Sequence, residues 1–223
     1  MKKLFTLILV ALLAIPAFAQ FGTHRQRSRY SHDDTERYYG LRLGLNISSL
    51  SSDIADMDMD SRAGLNLGGV IGFQLSNRTP LWLEAGLYYT EKGGKTRWAY
   101  YEPGATKDDS QKVTTRLSYF QVPVVVKYSF DVADDFYVQP FLGGYLSVGV
   151  GGRTKLYGER ESYSSFSHCD LNRFDGGLRL GCGAEYQMVY AELGFDFGLT
   201  NICKSDFDAV RNRNMFINIG VNF

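Results

Sequence analysis

The last ten residues of the chain, 214–223, alternate between two kinds of side chain. The odd-numbered positions are all apolar: Met215, Ile217, Ile219, Val221 and Phe223. The even-numbered positions are mostly asparagine and glycine. Because successive side chains of a β-strand point to opposite faces, this stretch predicts a strand with one apolar face, typical of strands that cross a membrane. Such a strand cannot lie in lipid with open edges, so the rest of the chain is expected to close into a barrel.

The same alternation recurs along the chain and predicts eight strands in all. They cover residues 39–47, 65–75, 81–90, 117–130, 136–150, 174–186, 189–200 and 214–223. The connections alternate between long and short, so every long one leaves at the same rim. Outer-membrane barrels have this layout, with short periplasmic turns and longer extracellular loops. We therefore predict an all-β fold, an eight-stranded antiparallel up-and-down transmembrane β-barrel with four long extracellular loops. Pro123 has no N–H and predicts a bulge or irregularity in the fourth strand.

The beginning of the chain has the pattern of a secretory signal. Lys2 and Lys3 precede an apolar run over 4–15, and Ala17-Phe18-Ala19 forms a small-x-small cleavage site. We predict a removed signal peptide at 1–19, a flexible periplasmic leader at 20–38 and the barrel at 39–223. No cysteine follows the cleavage site, which argues against a lipoprotein anchor. The predicted location is the outer membrane of a Gram-negative cell.

Charge and cysteine content narrow the classes of function. The chain has 24 Lys and Arg against 24 Asp and Glu. Without Lys2 and Lys3 the net charge is 22 − 24 = −2, which argues against nucleic acid as a partner. No Cys or His pair has the spacing of zinc ligands. A disulfide between Cys169 and Cys203 is an open alternative in an exported chain.

The position of the charged residues separates a membrane barrel from a soluble one. Soluble barrels bury large apolar residues inside and carry charge outside. Here the apolar face is nearly free of charge, and the glycine-rich face carries Arg42, Glu84, Lys127, Arg179, Glu185, Glu192 and Asp196. A charge facing lipid would cost roughly 2–4 kcal/mol at the bilayer midplane. The sequence therefore predicts that these residues form a charge network in a narrow lumen.

The predicted lumen is small enough for its own side chains to fill. An eight-stranded barrel has an interior only just wide enough for them. Trp82, Tyr88, Phe141 and Tyr145 also fall on the inner face. We expect the ionic and aromatic side chains to plug the barrel, and a proton or ion path along the charges is the alternative role.

The loops offer few candidates for chemistry. Asp56, Asp58 and Asp60 resemble the start of a calcium loop, but Ser61 and Leu67 replace its required glycine and final acid. Catalysis would need a histidine with an acid or serine near the outer rim, and His168 with Asp170, or with the Asp206/Asp208 pair, is the one such arrangement. We predict no enzyme activity and no cofactor. Loop aromatics could bind a partner or rest on the lipid interface: Trp98, Tyr100, Tyr101, Tyr157, Tyr163 and Phe166.

Several segments resemble one known family. They are Tyr38–Ser48, Glu84, the Tyr119-Phe120-Gln121-Val122-Pro123 run with Lys127-Tyr128, and Gly198-Leu199-Thr200-Asn201-Ile202. The chain is similar over nearly its whole mature length to the small outer-membrane β-barrels of Bacteroidetes, the porin family or PorT-like barrels. The resemblance implies that Phe223 is the terminal aromatic read by the barrel-assembly machinery. Some relatives take part in type IX secretion, and most have no assigned role.

The function predicted from the sequence is a structural or interaction scaffold that presents its extracellular loops. A narrow porin-like channel for small solutes or ions is the first alternative. An accessory barrel of type IX protein secretion is the second. The expected partners are outer-membrane lipid and lipopolysaccharide, the assembly machinery during insertion, and a protein bound through the loops.

Overall fold

The computed structural model describes residues 36–52, 59–76, 78–98, 111–156, 162–164, 172–201 and 210–223. These residues form eleven β-strands. In order they are β1 (Arg37–Ser52), β2 (Met59–Asp60), β3 (Arg62–Gln74), β4 (Leu81–Trp98), β5 (Gln111–Tyr128), β6 (Phe130–Ala133), β7 (Phe136–Leu156), β8 (Ser162–Ser164), β9 (Phe174–Tyr186), β10 (Val189–Gly198) and β11 (Val210–Asn222). The described part of the chain contains no helix with the length and apolarity needed to cross a membrane.

Eight of these strands close into a barrel. Along the chain, each barrel strand pairs antiparallel with the next barrel strand, in the order β1, β3, β4, β5, β7, β9, β10 and β11. The ring closes because β1 also pairs with β11, from Gly40 opposite Asn222 to Ser52 opposite Val210. The predicted eight-stranded antiparallel up-and-down barrel is therefore confirmed. We call the end where β1, β4, β7 and β10 finish the long-loop rim, and the opposite end the short-turn rim.

Three strands extend at least six residues beyond their predicted ends at the long-loop rim. β4 runs to Trp98 where 81–90 was predicted, β5 begins at Gln111 instead of 117, and β7 runs to Leu156 instead of 150. The apolar alternation marks only the part of a strand that faces lipid, whereas backbone pairing continues in water. β2 pairs with β4 and β8 with β7, so a sheet in the order β2-β4-β5-β7-β8 rises above the apolar band. We call this sheet the rim extension.

Pro123 was predicted to cause a bulge or irregularity in the fourth strand, and the structure has an irregularity there without a bulge. Pro123 pairs with Tyr145 of β7 without a register shift. On the β4 side the ladder is only interrupted, between Ala85–Val124 and Tyr88–Gln121. A missing N–H removes bonds there without inserting a residue. The true bulge joins Ser118–Gly151 to Tyr119–Gly149 and leaves Val150 as an extra residue on β7.

The two faces of the barrel differ as a membrane protein requires. Large apolar side chains lie on the outside, and Leu45 and Ile219 are each 62% exposed. Inside, glycines make room for aromatic rings, since a methyl group at Gly72 would overlap the Tyr38 ring. Ser118 has outward parity on β5, and its hydroxyl accepts a hydrogen bond from Tyr89 at 3.0 Å.

Candidate functional site in the barrel lumen

The structure buries all seven charged residues that were assigned to the lumen from the sequence. Five barrel strands supply them: β1, β4, β5, β9 and β10. They are Arg42, Glu84, Lys127, Arg179, Glu185, Glu192 and Asp196. Charges buried at this depth are stable only when they are paired or hydrogen-bonded, so their partners decide what the lumen can do.

Glu84 is the centre of the first cluster. Its carboxylate is 2.7 Å from the Lys127 ammonium and 3.7 Å from the Arg42 guanidinium. The Tyr38 hydroxyl donates to the same oxygen at 2.6 Å. One carboxylate therefore holds side chains from β1 and β5 against β4.

Tyr190 completes this cluster from β10. The Lys127 ammonium donates to the Tyr190 hydroxyl at 2.8 Å and lies 4.5 Å from its ring centre. The Arg42 guanidinium lies 4.0 Å from the same ring centre. Cations over an aromatic face are stabilised by the ring quadrupole, more strongly when water is excluded. Two like charges can therefore share this position beside Glu84.

A second cluster is built on Arg179. Its Nε lies 3.0 Å from Asp196 Oδ1, and its guanidinium lies 3.9 Å from the Phe216 ring centre. The other Asp196 oxygen accepts from the Gln121 amide at 3.1 Å and the Asn214 amide at 3.3 Å. The Asp196 carboxylate is therefore held by one cation and two amide donors.

Glu185 and Glu192 are held by amides. Glu185 accepts from Gln139 at 3.1 Å and from Asn222 at 2.9 Å. Glu192 accepts from Asn218 at 2.7 Å. The asparagines that alternate along β11 in the sequence therefore supply hydrogen bonds to the carboxylates of the inner face.

A third cluster was missed in the sequence. Lys92 and Asp175 form an ion pair at 3.1 Å in which both side chains have no exposed surface. Asn212 donates to the same Asp175 oxygen at 3.0 Å, and the Lys92 ammonium lies 4.2 Å from the Tyr145 ring centre. Lys92 was assigned to a loop because the predicted strand ended at Thr90. Its even number continues the inward face of β4, and that parity was the available signal.

The charges of the described lumen residues nearly balance. Adding Lys92 and Asp175 to the seven gives four basic and five acidic side chains among the described residues of the lumen. The cavity between the first two clusters is about 10 Å³, room for roughly one water molecule. Its lining includes Glu84, Arg179 and Glu192. Among the described residues, the inner face of the barrel is thus lined by buried charges with ionic and amide partners.

A smaller charged cluster lies at the long-loop rim. Glu91 is buried and contacts the guanidinium of Arg116, and Arg62 is 3.9 Å away. Because Arg116 is 52% exposed, this contact stabilises the fold much less than the pairs in the lumen.

The remaining sequence candidates lie at or outside the described surface. Phe223 and Asp60 are exposed, and Cys182 carries a free, exposed thiol on β9. Outside the described residues lie the signal peptide, most of the leader, Asp56, Asp58, His168, Asp170, Cys169, Cys203, Asp206, Asp208, Tyr100, Tyr101, Tyr157 and Phe166. Only the backbone is described at Trp98 and Tyr163. Within the described residues, no three His, Cys, Asp or Glu side chains converge as metal ligands would.

A family model for an outer membrane protein beta-barrel domain matches residues 18–204. Among curated proteins, none matches the chain. The structure is similar to Ail of Yersinia pestis (14% identity, 84% of this chain and 99% of Ail, TM-score 0.43). It is also similar to OprG of Pseudomonas aeruginosa (10% identity, 84% of this chain and 95% of OprG, TM-score 0.47). A further similar structure is Neisserial surface protein A (16% identity, 86% of this chain and 100% of that protein, TM-score 0.40).

Proposed function

We propose a function from one established premise: the chain belongs to the outer membrane protein beta-barrel domain family. It is a non-enzymatic scaffold of the outer membrane, which holds its extracellular loops in place for a protein partner and conducts no solutes. Export by a cleaved signal peptide is part of this proposal. The closer resemblance to PorT-like barrels of Bacteroidetes stays a prediction.

The buried, paired charges of the inner face are the observation that carries this proposal. A solute or ion that crossed the barrel would have to separate buried pairs such as Lys127–Glu84 and Lys92–Asp175. Leaving one member of a buried pair without its partner costs about 3–5 kcal/mol. Five strands supply the charged residues, and β7 and β11 add hydrogen-bond and ring partners, so opening a path would disrupt contacts around most of the ring.

The rim extension supports the presentation of loops. Beyond the apolar band, β4 continues over Glu91–Trp98, paired residue by residue with Gln111–Ser118 of β5. At about 3.3 Å per residue this hairpin adds roughly 25 Å of paired strand. Loops carried on paired strands start from fixed positions, as binding loops on other rigid scaffolds do.

Planar-bilayer recording tests the absence of conduction. Purified chain inserted into the bilayer is expected to give no steady unitary current, whereas a wide porin in the same bilayer conducts. A variant with smaller lumen side chains, K127A/Y190A, serves as the internal control if it stays folded. Steady, ion-selective unitary currents from the native chain would contradict the scaffold and favour the narrow channel.

Recovery of companions from native membranes tests the presentation of loops. The full chain is compared with a variant in which residues 99–110 are replaced by a short Gly-Ser linker between β4 and β5. A companion is expected with the full chain and is expected to be lost with the variant. Equal recovery would contradict a role for this loop, and a companion drawn from an export machinery would favour the accessory role.

A further inference from the structure

The two rims of the barrel carry opposite charge. Among side chains that the structure describes, the exposed charges of the long-loop rim are seven basic and one acidic: Lys95, Arg116, Arg153, Lys155, Arg173, Arg211 and Arg213 against Asp60. The short-turn rim has the reverse bias, with Arg37 and Arg78 against Glu36, Asp131, Asp134 and Asp135. Between the rims the outer surface is apolar. The basic residues are therefore concentrated at one level of the barrel.

That level lies directly beyond the apolar band. On the outward face of β11, Arg213 is the next position from Met215 towards the long-loop rim, and Arg211 is the one after that. Two residues of strand correspond to about 7 Å. On β7 the bulge at Val150 changes the parity, so that Arg153 and Lys155 become exposed where Thr154 is buried. The bulge thus directs these two basic side chains outward, at the height where lipid headgroups begin.

Two of the basic residues lie directly opposite each other. Arg116 of β5 pairs directly with Arg153 of β7. Like charges directly opposite across an antiparallel pair repel each other. Glu91 contacts Arg116, but among the described residues no carboxylate forms an ion pair with Arg153, Lys155 or Arg213. Lys95 differs from the others because it lies opposite Asp60. An external anion would relieve the repulsion between Arg116 and Arg153 and would give Lys155 and Arg213 a counter-charge.

We propose that Arg116, Arg153, Lys155, Arg173, Arg211 and Arg213 form a basic girdle that binds the phosphate groups of lipopolysaccharide in the outer leaflet. Arginine recognises phosphate oxygens bidentately, and basic side chains at a membrane surface attract anionic headgroups. The acyl chains of the same molecule would lie on the apolar side chains directly below, such as Val148 and Ile217. One amphiphilic molecule therefore contacts both the basic girdle and the apolar surface below it. The assignment rests on the proposed location, with the long-loop rim outside.

Binding of lipid A to the detergent-purified full chain tests this proposal. The probe is dye-labelled lipid A with both phosphates, titrated in mixed micelles. The variant R153Q/R213Q removes two girdle charges, and R37Q/R78Q removes two exposed basic charges from the short-turn rim as the matched control. We expect the girdle variant to bind roughly 25-fold more weakly, about fivefold per charge, and the control to bind within about twofold of the native chain. Added salt is expected to weaken native binding.

Three results would overturn the proposal. They are equal losses in the two variants, equally tight binding of dephosphorylated lipid A, and no binding to the native chain. Inorganic phosphate that bound as tightly as lipid A would overturn the assignment to a lipid. Both variants are checked for the heat-dependent gel mobility of a folded barrel, and R116Q/K155Q replaces a variant that fails. A barrel that bound lipid A and also conducted ions would refute the scaffold and leave the girdle intact.

Discussion

Lys92 on β4 and Asp175 on β9 form an ion pair across the lumen, with Nζ 3.1 Å from Oδ2 and no exposed surface on either side chain. The two strands are not neighbours in the barrel, since β5 and β7 lie between them. The pair therefore connects two distant strands across the interior at the base of the rim extension.

Replacing Lys92 with methionine is expected to destabilise the barrel by about 3–5 kcal/mol. Methionine keeps much of the volume but leaves the Asp175 carboxylate buried without its cation. The double variant K92M/D175N should recover much of the loss, because no unpaired charge remains. Urea unfolding in lipid vesicles measures both. A single variant as stable as the native chain would show that the pair contributes nothing.

Glu84→Gln is expected to cost about 2–3 kcal/mol. The amide still accepts from the Tyr38 hydroxyl, but Lys127 and Arg42 lose the carboxylate that balances them. Glu36→Gln is the matched control, since Glu36 is exposed and its change should stay within about 0.5 kcal/mol. The same unfolding measurement applies. Equal effects of the two substitutions would contradict the central place of Glu84 in the first cluster.

The barrel and the inner face of each strand could be predicted from the sequence because both depend on a period of two along one strand. The same parity placed Arg42 and Glu84 on one side of the wall before any pairing was known. The partners could not be predicted in this way. Glu84 meets Lys127 because β4 and β5 pair in one particular register, and Trp82, not Glu84, is directly opposite Lys127. Contacts of that kind depend on side-chain reach within the closed ring.

The rim was predicted poorly for a related physical reason. Lys92 was assigned to a loop because the outward side chains beyond Thr90 do not face lipid and so need not be apolar. The alternating pattern therefore ends there, although the backbone remains paired. The bulge at Val150 lies among glycines, Gly149, Gly151 and Gly152, which carry no signal of inward or outward orientation. A change of parity inside such a run is invisible in one sequence. Both the third lumen cluster and the exposure of Arg153 follow from these two features.

Ile219→Arg is expected to reduce the stability of the folded, inserted barrel by about 2–4 kcal/mol. Ile219 lies near the middle of the outward apolar run of β11 and is 62% exposed, so the new charge would face lipid. Met188→Arg is the control, because Met188 lies in the turn between β9 and β10 at the short-turn rim, where arginine should cost about 0–1 kcal/mol. Unfolding from vesicles of one composition gives both values. A tolerated arginine at 219 would place that face in water and refute the membrane barrel.

Cys182 reports on the same surface without adding a charge. Its thiol is free and exposed on the outside of β9, opposite Pro140 of β7 and Leu193 of β10. The protein carries C169S and C203S and is reconstituted in nanodiscs. A charged maleimide should then label Cys182 at least tenfold more slowly than after unfolding in urea. The reason is that acyl chains cover the thiol, and a charged reagent does not partition into them. Met188→Cys in a C169S/C182S/C203S background supplies the comparison, since a turn thiol meets water at the disc face and should react at nearly the unfolded rate. Equal rates at the two positions would mean that lipid does not cover the middle of β9, and the outward apolar face would then need another partner.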